Sequence, residues 1–485
     1  MAEPAIVARE LALAFLAGEW RANSLCERGE HVLGGRSEWL APLVRKVVVA
    51  CRRAPALPVL CRFIAQSDIF QAAYYAWPRP RIARSLATEP QMGASRWPVP
   101  QLATSADLAA WLEISIAELD WFADPKQLNA WTASAALHHY ACAWLPKRRG
   151  GYRLLEAPKA RLKAFQRRIL REILNCVPVH DAAHGFVRGR SVLSLARAHA
   201  AQSVVLRIDL EQFFWSIGGA RIRHVFLSLG YPDAVARLLT GLVTTVTPSS
   251  VLGSMPKPSF VELRDPPVLE ERGRARRRLA ARHLAQGAPS SPVLANLCAF
   301  GLDTRLAGAA RVVDAHYGRY ADDLTFSGGP DFARRAQRFE ALVGAIALEE
   351  GFLVNHRKTR LMRSGAQQRL LGLVLNAEPA VPRDERKLLE AILHNATRFG
   401  LESQNRTQHP CFLEHLRGRV AWVKQANPGH ARKLSALLAL LGPTEVADSR
   451  HFEVLGGSLG AQNPALHPGT AAQCPPILAQ LAVSA

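Results

Sequence analysis

Two short acidic segments constrain this chain more than any other feature of its sequence. Tyr320-Ala321-Asp322-Asp323 stands between two stretches with strand character, residues 316–320 and 324–327, and this pattern predicts a β-hairpin with the acidic pair at its tip. Far upstream, residues 206–210 alternate apolar and polar side chains, so Asp209 would project from a strand whose other face is buried. The chain therefore offers carboxylates at two strand ends.

Carboxylates in this arrangement indicate a site for two magnesium ions. Phosphoryl transfer requires charge to be neutralised on both the attacking and the leaving oxygen, and a pair of Mg²⁺ ions held by carboxylates does this. Because adjacent strand residues face opposite ways, Asp322 and Asp323 reach one site only where the chain turns, and we expect Asp322 to be the stronger ligand. The alternative is a solvated Asp-Asp turn without catalytic function.

The hairpin belongs to an ordered series of motifs. The other members are Gly151-Tyr152-Arg153-Leu154-Leu155-Glu156-Ala157-Pro158, His184-Gly185-Phe186-Val187-Arg188-Gly189-Arg190-Ser191, Asp209-Leu210-Glu211-Gln212-Phe213-Phe214, Gln286-Gly287-Ala288-Pro289-Ser290-Ser291-Pro292 and Asn355-His356-Arg357-Lys358-Thr359. In this order they resemble the motifs of bacterial retron-type reverse transcriptases, relatives of the group II intron enzymes. The resemblance covers roughly residues 130–440, and the long N-terminal extension is most similar to that of the myxobacterial enzymes.

The resemblance implies an α+β fold, a right-hand polymerase with fingers, palm and thumb, an antiparallel palm sheet and a helical N-terminal extension. The expected divisions are a helical extension (1–130), fingers (131–200), a palm (201–375) with a Pro- and Arg-rich insertion (244–282), a helical thumb (376–445) and a loosely ordered tail (446–485). The N-terminal extension would be either an RNA- or partner-binding layer or a plain structural cap.

The family's catalytic roles carry over to four side chains and one backbone group. Asp209 and Asp322 would bridge both metal ions and Asp323 would complete the set, while the backbone carbonyl of Leu210 would add a ligand. Lys358 occupies the position of the family's lysine, which would protonate the leaving pyrophosphate.

Four further residues match positions that contact the incoming nucleotide in the family. Phe214 would be the steric gate against a ribose 2′-hydroxyl, with a core aromatic as the alternative. Arg153 would lie against the triphosphate, unless it is an ordinary surface arginine. Gln286 and Gly287 would line the nucleotide and template base pair, or merely shape a turn.

The charge balance favours a nucleic-acid partner. The 485 residues include 61 Lys and Arg against 40 Asp and Glu, a net charge of +21, and such an excess favours binding to a polyanion through counterion release. A helix over residues 161–174 would present a basic face, and a basic, aromatic segment follows in the expected thumb. The residues expected to contact nucleic acid are Lys163, Arg167, Arg168, Arg417, Arg419 and Lys424. Trp422 fits either this surface or the core, and the arginine run 272–278 fits either a phosphate contact or a solvated loop.

Two departures from the retron pattern weaken the assignment to the retron-type enzymes. The family's Asn-Ala-x-x-His signature corresponds here to Leu195-Ala196-Arg197-Ala198-His199, so the asparagine is missing. The Val-Thr-Gly of the last palm strand corresponds to Leu370-Leu371-Gly372.

The resemblance implies an RNA-directed DNA polymerase that extends a guanosine 2′-hydroxyl with dNTPs. It would copy a structured non-coding RNA into branched, RNA-linked DNA, pass through an RNA-DNA hybrid, and serve anti-phage defence with a separate effector protein. Two alternatives are an RNA-binding or effector-neutralising scaffold with a vestigial site, and a template-independent polymerase of the abortive-infection type. No apolar run reaches membrane-spanning length, and we expect a cytoplasmic protein with no membrane partner.

Overall fold

The structure, a computed structural model, describes residues 4–76, 79–83, 91–132, 134–147 and 151–442. The chain divides into two compact units: the first comprises residues 1–93 and 101–107, and the second comprises residues 94–100 and 108–485. The predicted tail, residues 446–485, lies outside the described residues. In the part of the chain that is described, no helix combines the length and the apolar character needed to cross a bilayer.

The first unit contains five helices around an apolar core of its own. They are α1 Pro4–Leu16, α2 Ala22–Leu33, α3 Leu40–Ala50, α4 Leu57–Gln66 and α5 Asp68–Tyr75. Val7, Leu11 and Phe15 recur at helical spacing on one face of α1, and all three are buried in this core. α2 ends at Gly34, whose φ of 78° is the left-handed conformation that glycine adopts without strain.

The second unit holds all the strands that the described residues form. They are β1 Tyr140–Pro146, β2 Tyr152–Pro158, β3 Val204–Asp209, β4 Ala315–Tyr320, β5 Asp323–Gly328, β6 Arg360–Arg363, β7 Arg369–Leu370 and β8 Leu373–Val374. They pair as a β1-β2 hairpin, a four-stranded sheet in the order β4-β5-β3-β6 and a small β7-β8 hairpin. Every pair is antiparallel, so the expected antiparallel sheet is present.

Helices surround these sheets. They are α6 Ser105–Leu112, which begins in the first unit, α7 Ile116–Ala123, α8 Ala160–Glu172, α9 Val192–Ala198, α10 Phe213–Ser216, α11 Gly219–Ser228, α12 Asp233–Val243, α13 Ser249–Gly253, α14 Phe260–Leu263, α15 Pro266–Leu279, α16 Ser291–Cys298, α17 Phe300–Val312, α18 Pro330–Glu349, α19 Arg383–Phe399, α20 Phe412–Ala426 and α21 Pro428–Ala439. Short 3₁₀ turns occur at Leu128–Ala130, Leu174–Cys176 and Glu402–Gln404. The mixed helix and sheet content agrees with the expected α+β class.

The central strand β3 is buried on both faces. Val204, Leu206 and Ile208 share one face, as their alternation predicts, and are fully buried. α18 packs against β3 and β5, where the rings of Phe326 and Phe339 meet edge to face at 5.0 Å. The strand end that carries Asp209 is therefore held on a rigid support.

The segment expected as an insertion, residues 244–282, folds into helices α13 to α15. The arginine run lies in α15, whose Ala275 and Leu279 are buried in a cluster with Leu154 of β2 and Trp215 of α10. Part of this segment is therefore core, because its apolar residues recur on one side of a helix whose other side carries the arginines.

The last three helices, α19 to α21, form an apolar cluster with β7 and β8 and with residues of α9 and β3. Leu389, Leu416 and Leu434 contribute one buried residue from each of the three helices. Trp422 packs half-buried against this cluster, so the core alternative describes much of its side chain.

Candidate active site

The sheet brings the three predicted carboxylates together. The β4-β5 hairpin turns at Ala321 and Asp322, and Ala321 takes a left-handed φ of 56°. Asp209 and Asp323 are directly opposite each other in the β3-β5 register, and the amide of Leu210 donates to the carbonyl of Asp322 at 2.9 Å. Opposed residues of an antiparallel pair project to the same face, so the carboxylates of Asp209 and Asp323 share a site.

Two of these carboxylates are held by cations. The Nζ of Lys358 donates to both carboxylate oxygens of Asp209 at 3.1 Å. Arg207, on the same face of β3 as Asp209, donates to Asp323 through Nε at 2.8 Å and Nη2 at 2.7 Å. Asp322, in the turn, is half-buried, and no cation forms an ion pair with it within the described ranges.

The pKa values of two of these aspartates are raised by burial and by the neighbouring acids. Burial, followed by the charges of Asp323 and Asp209, raises the pKa of Asp322 to about 7. Burial also raises the pKa of Asp209, although the ammonium of Lys358 opposes this change. Both shifts mean that negative charge is poorly compensated at the hairpin tip, which is the condition that a bound divalent cation relieves.

The donor chemistry fits a divalent metal, but the side-chain arrangement is one of ion pairs. Asp209, Asp322 and Asp323 supply the carboxylate oxygens that such an ion prefers and are the residues that would hold it. In the described residues, no three His, Cys, Asp or Glu side chains are grouped so as to hold a metal ion. Lys358 and Arg207 occupy the oxygens that metal ligation would need, so these two cations must yield first.

Phe214, the expected steric gate, lies partly buried in an aromatic group beside the hairpin. Its ring is 6.1 Å from that of Phe186, which is in turn 6.3 Å from that of Tyr320. Sequence reasoning assigned no role to Phe186, which is 43% exposed and has a φ of 62°, an uncommon conformation for a bulky residue. Such strain is typical of functional positions, and an isolated Phe gives no sign of it in the sequence.

The segments of Arg153 and of Gln286 and Gly287 lie side by side. The carbonyl of Gln286 accepts from the amide of Glu156 at 2.8 Å, three residues along β2 from Arg153. Gly287 has a φ of 123°, and a Cβ there would come within 3.0 Å of the Glu156 carbonyl oxygen, so glycine is required. The Nε of Arg153 is buried without a partner in the described residues, which leaves a donor for an anion.

A buried polar cluster, not anticipated from the sequence, fixes this junction. The carboxylate of Glu156 accepts from the hydroxyl of Thr247 at 2.7 Å and lies 2.9 Å from Nε2 of His283. Burial alone would lower the pKa of His283, but the charge of Glu156 raises it. A Glu between the apolar residues Leu155 and Ala157 of β2 was the available signal.

Helix α15 is anchored beside the end of β3. Arg274 donates to both carboxylate oxygens of Glu211 at 3.0 and 2.9 Å, and Arg278 donates to the Glu211 carbonyl at 3.1 Å. Glu211 follows Asp209 by two positions and is buried. Two arginines of the run therefore support the site, whereas Arg276 and Arg277 are exposed.

The residues expected to contact nucleic acid differ in their availability. On α8, Arg167 is exposed and Lys163 half-exposed, but Arg168 stacks on Trp111 at 5.0 Å and donates to Glu113 at 2.8 Å. On α20, Lys424 is exposed, Arg419 is half-exposed and Arg417 pairs with Glu414 at 3.7 Å.

Both segments that depart from the retron pattern have defined places in the structure. Leu195, which replaces the family's Asn, and the retained His199 pack against Gly318 of β4, and His199 Nδ1 lies 2.7 Å from the Ser327 hydroxyl of β5. Gly318 and Ser327 share a sheet face with Asp323, so both side chains support the hairpin on the carboxylate face. Leu371 and Gly372, with φ of 47° and 87°, form the two-residue turn between β7 and β8. Such a turn needs positive φ at both positions, which explains why the glycine is kept.

Carboxylates on adjoining strand ends of an antiparallel sheet fit a site for nucleotidyl transfer. The family model described as "Reverse transcriptase (RNA-dependent DNA polymerase)" matches residues 145–384, which include all three carboxylates. The protein is an RNA-directed DNA polymerase, and this class implies an RNA template, nucleotide substrates and dependence on a divalent metal.

Curated relatives narrow the class. The chain is 39% identical over 341 residues to the Retron Mx65 reverse transcriptase of Myxococcus xanthus, covering 70% of this chain and 72% of the relative. It is 35% identical to the Retron Mx162 reverse transcriptase of the same organism, covering 72% and 69%, and 29% identical to the Retron Ec86 reverse transcriptase of Escherichia coli, covering 60% and 76%. The chain belongs to the retron reverse transcriptases, and the expected likeness to the myxobacterial enzymes is confirmed.

Proposed function

We propose that this reverse transcriptase copies a cognate structured non-coding RNA into branched, RNA-linked single-stranded DNA by a two-Mg²⁺ mechanism. The observation that carries the proposal is the meeting of Asp209, Asp322 and Asp323 at the end of the β3-β5 pair. Membership in the retron family supports the RNA template and the branched product.

The proposed mechanism assigns a task to each group at the site. Mg²⁺, when bound by the three aspartates and the Leu210 carbonyl, supplies charge neutralisation at the attacking and leaving oxygens. Lys358 leaves Asp209 and turns toward the pyrophosphate, to which its ammonium gives a proton. Two side chains select and hold the nucleotide: Phe214 excludes a ribose 2′-hydroxyl, and the unpaired Nε of Arg153 binds phosphate oxygens.

The polymerase subdomains follow from this assignment. We assign residues 131–200 to the fingers, 201–375 to the palm and 376–445 to the thumb, with Gln286 and Gly287 under the nucleotide and template base. The exposed cations Arg167 and Lys424, on α8 and α20, suit contacts with the RNA and the RNA-DNA hybrid. A cytoplasmic location, a separate effector protein and a role in anti-phage defence complete the proposal by analogy with retrons.

The test is DNA synthesis by purified protein. With Mg²⁺, dNTPs and the non-coding RNA encoded beside the gene, the product should be complementary to that RNA and should stay joined to it through a 2′-linkage that survives denaturation. Asp322→Asn should abolish synthesis while the protein remains folded by circular dichroism, with exposed Asp331→Asn as the matched control.

Three results would contradict parts of the proposal. Full synthesis by Asp322→Asn removes the carboxylate mechanism altogether. A product whose sequence is unrelated to the template supports the template-independent alternative. Phage protection by the inactive variant supports the scaffold alternative.

A further inference from the structure

Arg319 is the largest fully buried side chain in the described part of the chain, and the reaction scheme above gives it no task. It lies on β4, two positions before the turn residue Ala321, with 0% of its surface exposed. Burial of a guanidinium requires that its donors be satisfied. The partners of this residue therefore show what it holds in place.

Four hydrogen bonds join Arg319 to three elements. Its Nε and Nη2 donate to the two carboxylate oxygens of Asp303 on α17 at 2.8 and 2.7 Å. Its Nη1 donates to Oδ1 of Asn296 on α16 at 3.1 Å and to the carbonyl of Ala321 at 3.0 Å. The guanidinium also lies over the ring of Phe213, 5.5 Å from its centroid.

Asn296 also connects the turn to the segment of residues 182–185. The side-chain Nδ2 of Asn296 donates to the carbonyl of Gly185 at 2.9 Å. A Cβ on Gly185 would come within 2.7 Å of the Ala321 nitrogen, so only glycine allows this approach. The backbone of Arg319 itself pairs at 2.7 Å with Ala182 and with His184. Ala321 is therefore held through its carbonyl and packed at its nitrogen.

We propose that Arg319, anchored by Asp303 and Asn296, is a positioning residue that sets the Ala321-Asp322 turn and so places Asp322 and Asp323 for metal ligation. Ala321 has a left-handed φ that an alanine does not favour, so the turn needs an external constraint. A rigid planar donor that bridges a carboxylate and the turn carbonyl provides one. Because Arg319 is fully buried, it acts through the backbone of the turn, by its bond to the Ala321 carbonyl.

The experiment separates positioning from stability with a charge-neutral replacement. The triple variant Tyr317→Phe, Asp303→Leu, Arg319→Met removes the buried ion pair together with the hydroxyl that bonds Asp303. Replacing a buried pair by apolar residues of similar size is often neutral for stability. The single variant Tyr317→Phe is the matched control, because it leaves the Arg319 bonds to Asp303 and Ala321 in place.

The triple variant should keep a Tm close to that of the control and lose about 100-fold in kcat, since a displacement of about 1 Å has this effect. The KM for the template-primer should change little. The Mg²⁺ concentration for half-maximal rate should rise, and the increase in Tm that Mg²⁺ causes without substrates should shrink. A folded triple variant with the control's kcat and Mg²⁺ response would overturn the proposal.

Arg319→Lys covers the case in which the triple variant does not fold. An ammonium can pair with Asp303 but cannot span both Asp303 and the Ala321 carbonyl. This variant should be folded, with a reduced kcat and the same rise in Mg²⁺ requirement. Unaltered kinetics would overturn the proposal, and so would unfolding of both variants, because the network would then serve the stability of the whole unit.

Discussion

Two arginine-aspartate pairs with the same bond lengths lie on opposite sides of the β4-β5 hairpin. In front, Arg207 binds Asp323 at 2.8 and 2.7 Å, and behind, Arg319 binds Asp303 at the same two distances. In the front pair the side chain of Arg207 is 33% exposed and that of Asp323 is 9% exposed, whereas both members of the rear pair are 0% exposed. Geometry alone does not distinguish them.

The two ion pairs differ in their access to water, and therefore in how easily each can be broken. The front pair is open to solvent on the arginine side, so a competing cation can replace Arg207 at modest cost. The rear pair is buried and further fixed by Asn296, Tyr317 and the Ala321 carbonyl, so breaking it leaves a buried charge unpaired. The front side can exchange its ions while the rear side stays fixed.

The largest expected effect is on the front side and concerns activity. Asp323→Asn should lower kcat on the order of 10³-fold, because the loss of a metal ligand removes several kcal/mol of transition-state stabilisation. Its free energy of unfolding should change by less than about 1 kcal/mol, since the lost ion pair is offset by relief of repulsion with Asp322. Single-turnover kinetics and urea unfolding would check both. A variant that unfolds at low urea would contradict the view of an exchangeable front pair.

The corresponding Asp→Asn substitution in the rear pair should lower the stability of the protein. Asp303→Asn should lower the free energy of unfolding by about 3 kcal/mol, because Arg319 keeps its buried charge and loses its counter-charge. Urea denaturation against Asp331→Asn, an exposed aspartate, measures the difference. A stability equal to that of the control would erase the contrast between the two pairs.

A pH-dependent effect on stability should come from buried His199, which contacts Gly318 and Ser327 on the sheet face that carries Asp323. Burial, helped by the charges of His316 and His184, lowers the pKa of His199 to about 3. The unfolded chain takes up this proton near pH 6.5 and the folded chain does not, so stability is full above pH 6.5 and falls as the pH drops toward 3. Between pH 6.5 and 5 the loss should be about 2 kcal/mol.

His199→Gln isolates this contribution, because glutamine does not titrate. The variant should show about 2 kcal/mol less loss of stability between pH 7 and 5 than the native protein, measured by urea unfolding at each pH. Exposed His430→Gln is the control and should keep the native pH profile. Parallel profiles for the native protein and His199→Gln would mean that His199 takes up its proton in the folded state.

The smallest effect concerns competition at the front side. Arg207→Met should tighten Mg²⁺ binding about three- to tenfold, since Asp323 is then free to ligate and about 1 kcal/mol of competition is lost. Titration calorimetry on the substrate-free protein measures this change. Weaker Mg²⁺ binding would show instead that Arg207 orients Asp323 for the metal.

The three carboxylates and the strands that carry them could be predicted because the signal is local. The alternation in residues 206–210 and the strand-turn-strand pattern around Asp322 depend on neighbours in sequence, and the observed strands match both. The fate of the arginine run 272–278 could not be predicted in this way. Whether a basic helix is solvated or docked depends on Glu211, a partner more than sixty positions away.

Nothing in the sequence indicated that Arg319 supports the Ala321-Asp322 turn. The sequence shows arginines at 207 and 319 in equivalent strand contexts, and it contains no information on which of them meets water. The left-handed φ of Phe186 and Ala321 is likewise imposed by packing, because neither residue type prefers that conformation.

The sequence by itself determined the class of enzyme, the strand ends that carry Asp209, Asp322 and Asp323, and the retron family, because each depends on residue order and short-range periodicity. Only the tertiary structure decided that Lys358 and Arg207 neutralise two of these acids, across 149 and 116 positions of chain, and that Arg319 is buried behind them. The physical reason is that an ion pair is defined by distance and by exclusion of water, and both arise only when remote segments pack together.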